Sequence, residues 1–269
     1  MLEESYERFY QSKEFEILVN GRNQDGVFFY DRGIVRHIMF PPTNKEHIVK
    51  KLVSESWKQL KVPIIASFRK VPYAFFEQAT VIIDLTKDKI FERLGKDVRW
   101  SIKKAEREGV IVRELESKAD FDAFIAILKD LASRKKIHSI NINKFIDIPT
   151  FAKAYGAFLN GKLIGGGFFY RIGQMVLYES GAVLEGYYKY QPASLCLWRA
   201  ISDAKKEGFT LFDLGGFDIN AVKDSETYRI NQFKRDWGEL ITYRHYVPYR
   251  FFYFIKKIKD LLDATFLKK

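Results

Sequence analysis

The stretch TYRINQFKRDWG, Thr227 to Gly238, follows closely on the turn Asp213-Leu214-Gly215-Gly216, and these two segments decide how the chain reads. A short apolar strand, Thr210 to Leu214, runs into the Gly-Gly turn. A polar loop comes next, then a short helix carrying Arg229, Lys234 and Arg235. A strand that ends on two glycines and opens onto cationic side chains can hold a phosphate or a developing oxyanion.

The elements before this segment set its frame. Tyr190 to Glu207 has helical spacing, with Leu195, Trp198 and Ile201 inward and Gly208 as its stop. Ahead of it come three strands. Tyr155–Leu159 and Leu163–Arg171 are joined by the hairpin turn Asn160-Gly161, and Gln174–Ala182 follows. Gly165, Gly166 and Gly167 lie inside the second of these, where glycines mark a bulge or a close backbone approach. Lys118 to Lys136 is an amphipathic helix with Phe121, Phe124, Leu128 and Leu131 on one face, and His138–Pro149 is a loop or broken helix. Val110–Leu115 is a strand.

Thr86 to Gly109 is helical, with Thr86 as its expected N-cap and Gly95 marking two helices or a kink. Its apolar stripe is Ile90, Leu94, Val98, Ile102 and Ala105. Lys96, Arg99, Lys103 and Arg107 form a cationic stripe beside it, read either as a solvated face with i,i+4 pairs or as an anion-binding face strengthened by Trp100 and Lys104.

Residues 1–85 read as a small α/β unit. Strands are expected at 15–19 (FEILV) and 27–30 (VFFY), linked through Asn20-Gly21 and Asp25-Gly26. A third apolar stretch runs from Ile34 to Phe40, a helix from Lys45 to Leu60, and strands over Ile64–Phe68 and Thr80–Leu85. Leu240–Tyr246 is the last strand. Strands and helices alternate only loosely, so the sheet is expected to be mixed and not doubly wound. Residues 247–269 carry Phe251, Phe254, Ile255, Ile258, Leu262 and Phe266 at helical spacing among lysines. This is either a basic amphipathic helix for a membrane interface or a terminal helix packed on the first domain.

Bulk properties narrow the function classes. With 269 residues, 47% hydrophobic and 16% aromatic, the chain is globular and long enough for a large core. A net charge of +11 and pI of 9.4 favour polyanionic partners: nucleic acid, anionic lipid or phosphorylated substrates. The single cysteine, Cys196, permits no internal disulfide, fits a reducing cytosolic location, and reads as a buried structural thiol. His37, His47, His138 and His245 have no ligand spacing, so no metal site is expected. The N-terminus has no apolar h-region, so no signal peptide is expected, and no run approaches the ~20 apolar residues that span a bilayer.

Several segments resemble the FemABX family of peptidoglycan aminoacyltransferases, within the GNAT-like acyltransferase superfamily. Val98 to Gly109 (VRWSIKKAEREG) is similar to that family's "R-x-x-I-R-K-A-x-x-x-G" helix, and Phe158 to Gly167 (FLNGKLIGGG) to its "NGKxVAG" hairpin. Tyr190 to Gly208 is similar to its "P-x-x-L-x-W-x-A-I-x-x-A-x-x-x-G" helix. Phe212 to Gly216 and Phe233 to Gly238 are similar to "D-x-G-G" and "F-K-x-G-F-G". Together these cover residues from about 80 to 246. The chain departs from the family at Asp236 and Trp237, where Gly and Phe are common, in having no long helical hairpin, and in its short N-terminal half.

The resemblance implies a GNAT-like α+β or α/β fold. A mixed central sheet is flanked by helices, with a reduced N-terminal GNAT-like half at 1–85, an acyltransferase domain at 86–246, and the basic helix at 247–269. It implies transfer of an aminoacyl group from charged tRNA to an amine of a lipid- or UDP-linked muropeptide precursor. No cofactor is needed beyond the donor. The protein would be cytoplasmic, with peripheral contact at the inner membrane surface. Lys234 matches the family's functional lysine. Phe233 would position it, and Arg235, Arg229, Tyr228, Arg99, Lys103, Gly215 and Gly216 would contact phosphates or the tRNA acceptor end. An N-acyltransferase using acetyl-CoA or another acyl-CoA is the nearest alternative, although Gly181–Pro192 carries no "Q-x-x-G-x-G" run. A non-enzymatic RNA- or membrane-surface-binding module is the other.

Overall fold

The computed structural model describes residues 2–69, 74, 76–135 and 150–248. His138–Pro149 and the terminal stretch Tyr249–Lys269 lie outside the described residues. The chain forms two compact units interleaved in sequence. One comprises Met1–Ala79, Gly216–Ala221 and Ile241–Lys269; the other comprises Thr80–Gly215 and Val222–Leu240.

The first unit opens with helices α1 (Leu2–Tyr10) and α2 (Lys13–Val19). The sequence reading of 15–19 as a strand is corrected here. Ser12 caps α2 by accepting from the Phe15 N–H at 3.1 Å, and Asn20 closes it in the left-handed conformation. A strand would put Phe15 and Ile17 on one face, but Phe15 is buried while Ile17 is 73% exposed. Asn20-Gly21 is therefore a helix end, and the hairpin turn is Asp25-Gly26, both at positive φ, between β1 (Arg22–Gln24) and β2 (Val27–Arg32).

β3 (Val35–Met39) pairs antiparallel with β2. It then pairs parallel with β4 (Val62–Ser67), reached through α3 (Glu46–Lys58). The end of β11 (Glu239–Tyr246) lies antiparallel on β4. The helical period of α3 buries Ile48, Leu52 and Val53 against Val27, Phe29, Ile38 and Ile65. Phe28, the alternate residue of β2, faces the other way and meets Phe15, while Phe40, just past the end of β3, meets Tyr6.

The second unit starts at Thr80 within β5 (Phe76–Asp84). Its strand order is β5, β10 (Leu211–Phe217), β9 (Met175–Val183), β8 (Lys162–Ile172), β7 (Ala152–Leu159), β6 (Ile111–Glu114). β6 to β9 are antiparallel neighbours, while β9 and β10 are parallel across the helix α7 (Pro192–Lys206), so the sheet is mixed. Asn160-Gly161 makes the expected hairpin turn, both residues at positive φ. In β8 the close approach falls at Gly166, where a Cβ would stand 2.7 Å from the Tyr155 carbonyl and 2.8 Å from the Phe124 ring of α6 (Lys118–Lys135).

Thr86 does not cap a helix. Asp84 takes both its hydroxyl and its N–H, and the first helix, α4 (Ile90–Arg93), begins after Lys89. Gly95 then breaks the chain before α5 (Lys96–Arg107), so the region is two helices whose stripe of Ile90, Leu94, Val98, Ile102 and Ala105 is buried. Cys196 of α7 is buried as expected, and burial pushes its thiol pKa up. No described helix is long and apolar enough to cross a membrane.

Candidate active site

Asp213 lies inside β10, which does not stop at Leu214 as expected but runs on through Gly215 and Gly216 to Phe217; it is 3% exposed, and Leu211, Phe212 and Leu214 around it are apolar. A carboxylate there must find donors, since an unpaired buried charge is costly. Its Oδ1 accepts from the Gly215 N–H at 2.7 Å, an Asx-type turn that draws Gly215 to φ 71°. The conformation is left-handed, so the first glycine of the pair is needed for its backbone. Thr80 Oγ1 of β5 lies against the same Oδ1 and 3.0 Å from the Gly215 carbonyl, clasping the turn from the neighbouring strand.

Lys234 approaches this turn from α8 (Glu226–Arg235). Ser225 caps α8 by accepting from the Tyr228 N–H at 3.1 Å. The helical period then turns Asn231 and Lys234, three residues apart, inward. Lys234 is 9% exposed, and its Nζ lies 3.9 Å from where a Gly215 Cβ would sit. Burial lowers the ammonium pKa to about 8, against the opposing pull of the Asp213 charge. The lysine is thus charged at neutral pH but poised to titrate just above it, in a place where water screens it poorly.

The end of α8 is fixed by the start of α5. The Gly95 N–H donates to the Asp236 carbonyl at 2.7 Å, and a Cβ on Gly95 would stand 2.4 Å from that of Asp236. Trp237, 1% exposed, donates its N–H to the Lys234 carbonyl at 3.1 Å and sits 6.1 Å from the Phe233 ring. The departures Asp236 and Trp237 are thus absorbed, one as an exposed helix end and the other as a core ring.

The structure brings Lys234 and Gly215 together. Phe233 is half-buried beside Trp237. Tyr228 is half-buried at the α8 N-terminus, and Arg229 and Arg235 are exposed on α8. Arg99 and Lys103 lie on α5, Arg99 donating to the Glu92 carbonyl at 3.3 Å and Lys103 standing 5.8 Å over the Phe91 ring. Gly216 is exposed and falls in the first unit. Sequence reasoning missed Thr80 and gave Asp213 no role. The signal for Asp213 was present: a lone carboxylate inside an apolar strand just before Gly-Gly. Thr80 gave none, because a threonine in a strand is ordinary. Among the described residues no group of three or more His, Cys, Asp or Glu could hold a metal ion.

The family model of acetyltransferase (GNAT) domains matches residues 93–235, just over half the chain. No curated protein sequence matches it. Among solved structures, the chain is similar to the crystal structure of FemX, with a TM-score of 0.68, 14% identity, and coverage of 95% of this chain and 98% of that one. It is similar to the C-terminal domain of a protein named as a lysylphosphatidylglycerol synthetase from Agrobacterium fabrum, with a TM-score of 0.66, 11% identity, and coverage of 92% and 88%. It is also similar to L-PGS from Bacillus licheniformis, with a TM-score of 0.61, 12% identity, and coverage of 94% and 97%. At these identities the likeness is one of fold, and that fold is the expected mixed-sheet acyltransferase architecture.

Proposed function

Since the chain belongs to the family of acetyltransferase (GNAT) domains and is an acyltransferase, we propose that it moves an aminoacyl group from a charged tRNA to an amine of a lipid- or UDP-linked peptidoglycan precursor. The observation that carries this reading is the buried ammonium of Lys234 beside the Asp213–Gly215 turn. The acceptor nitrogen attacks the ester carbonyl carbon, the new N–C bond forms, and the carbonyl oxygen becomes an oxyanion. Lys234 stabilises that charge from a desolvated position, where a fixed cation is worth most. The C–O bond to the tRNA 3′ end then breaks, and the proton released by the amine passes through water to the leaving ribose oxygen. Asp213 and Thr80 hold the turn that keeps Lys234 in place. The reading puts the protein in the cytoplasm, with its basic terminal stretch at the inner membrane surface.

An acyl-CoA donor would need a cluster of free N–H groups at a helix N-terminus for its pyrophosphate. At the start of α7, Pro192 removes one such donor. Gln191 precedes it at φ 55° with no side-chain cap, after the tight turn Tyr188–Tyr190. This favours the tRNA donor. One of the structures similar in fold is named as a lysylphosphatidylglycerol synthetase, so a lipid headgroup belongs among the acceptors offered.

The test offers labelled aminoacyl-tRNA and labelled acetyl-CoA side by side, with muropeptide precursors and phosphatidylglycerol as acceptors. Label moving from tRNA to the muropeptide is the expected result. Transfer from acetyl-CoA alone would move the chain to N-acetylation, and transfer to phosphatidylglycerol would replace the acceptor.

The rate should also depend on pH in one direction. The working form of Lys234 is the ammonium, whose pKa is about 8. Single-turnover rates should therefore level off approaching pH 8 and fall about tenfold per unit well above it. A rate that keeps climbing through pH 9 would mean that neutral Lys234 acts as a base. Lys234→Arg, charged throughout, should lose the falling limb.

A further inference from the structure

We propose that the exposed sector of α5, with the aromatic cleft beside it, is the surface on which the RNA donor docks. This rests on the charged-tRNA reading above and extends it to a defined face of the second unit. Lys96, Arg99, Trp100, Lys103, Lys104 and Arg107 occupy one continuous sector of the helix, about 140° wide at 100° per residue. Solvated helix faces usually pair their charges. α6 and α7 do so, through Lys118–Asp122, Arg134–Asp130 and Arg199–Asp203. None of the five α5 cations forms an ion pair with a described residue, and no carboxylate lies inside their sector. Asp97 and Glu106 flank the sector, one beyond each edge, but within it the like charges repel each other, and a polyanion seated there would relieve that repulsion.

The aromatic rings indicate which polyanion. Trp100 is 51% exposed in the middle of the sector, with Lys104 Nζ 5.0 Å from its ring. Phe91 of α4 and Trp198 of α7 lie 5.2 Å apart, and Lys103 of α5 reaches over the Phe91 ring, its Nζ 5.8 Å from the centroid. A cavity of about 300 Å³ opens at these two rings, flanked by Lys89, Ser202 and Lys206, with Glu92 the one carboxylate in its wall. Rings set among cations suit single-stranded nucleic acid, whose bases stack while its phosphates are neutralised. A membrane would need a broad exposed apolar face. The apolar face of α5 is used up in the core, where Val98, Ile102 and Ala105 are buried.

Position supports the same reading. The N-terminus of α5 is hydrogen-bonded to Asp236, two residues beyond Lys234, and the helix extends about 18 Å from there. A strand lying along it is led toward the catalytic lysine.

The test is binding, not turnover, so it separates failure of this surface from failure of the Lys234 chemistry. Deacylated tRNA is titrated by fluorescence anisotropy against full-length wild type and K96E/K103E/R107E. The triple variant should bind about tenfold or more weakly, and its plot of log K against log salt should flatten by roughly 2 to 3. W100A should weaken binding without changing that slope. The substituted side chains are exposed, so the thermal midpoint serves as the fold control. A variant of equal net charge, K51E/K58E/K118E, should bind nearly as wild type. Equal losses in both triple variants would overturn the proposal in favour of a diffuse charge effect. Unchanged tRNA binding with lost binding to phosphatidylglycerol vesicles would overturn it in favour of a membrane face.

Discussion

Lys234→Met is expected to lower kcat by about 10²- to 10³-fold while leaving the folded protein about as stable as wild type. The loss follows from removing one preorganised charge from the place where the oxyanion forms. The stability follows from linkage. Burial lowers the Lys234 pKa to about 8, so the folded state binds this proton less tightly than the unfolded chain does. Between pH 8 and the ordinary lysine value the unfolded chain keeps a proton that the folded one has shed, so stability rises with pH across that window. At pH 7 the buried ammonium is instead a burden of roughly 3 kcal/mol. Methionine removes the burden and fills most of the same volume. That figure is already net of the attraction to Asp213, which keeps the Gly215 N–H and Thr80 after the substitution. The thermal midpoint should therefore not fall by more than a few degrees. A variant that loses activity only because it has unfolded would show Lys234 to be a structural ion-pair partner.

What the sequence revealed depended on the range over which each feature is determined. The buried stripe of α5 and the hairpin at Asn160-Gly161 are set by residues a few positions apart, and both were legible. The run FEILV was too short to show a period. Its helical state is decided outside it, by Ser12 and Asn20. Thr86 looked like a helix cap until Asp84, two residues back, took its hydroxyl. In the candidate site, Lys234 and the Gly-Gly turn stood out as local motifs. The clasp between Thr80 and Asp213 joins residues 133 positions apart, and no spacing rule reaches across that distance. Nor does sequence say whether a cationic stripe is paired. Only the placement of neighbouring carboxylates distinguishes α5 from α6.

Gly238→Ala should be among the most destabilising single substitutions in the chain, because the motif glycine is a site of contact and not of flexibility. Its φ lies outside the left-handed region, so the backbone itself would accept alanine. The obstacle is space. A Cβ at 238 would lie 2.0 Å from the Ile82 carbonyl oxygen and 3.0 Å from the Ile83 side chain. Ile82 and Ile83 are buried in β5, so neither can swing aside as a surface side chain could. The chain after α8 must therefore lift away from the strand. That movement pulls on Trp237, which is buried and hydrogen-bonded to the Lys234 carbonyl. Overpacking at a site with no room to relax costs about 3 kcal/mol, which for a chain of this size lowers the thermal midpoint by roughly 6–10 °C. The same displacement should reduce kcat in the molecules that stay folded, since Lys234 moves with its helix. Gly95→Ala meets Asp236 at the exposed end of α8, where the backbone can yield, so its midpoint should fall less. Urea and thermal midpoints of the two variants check the ranking. A Gly238→Ala protein melting with wild type, or a Gly95→Ala protein melting lower, would mean that the end of α8 is not held against β5 in the way that positions Lys234.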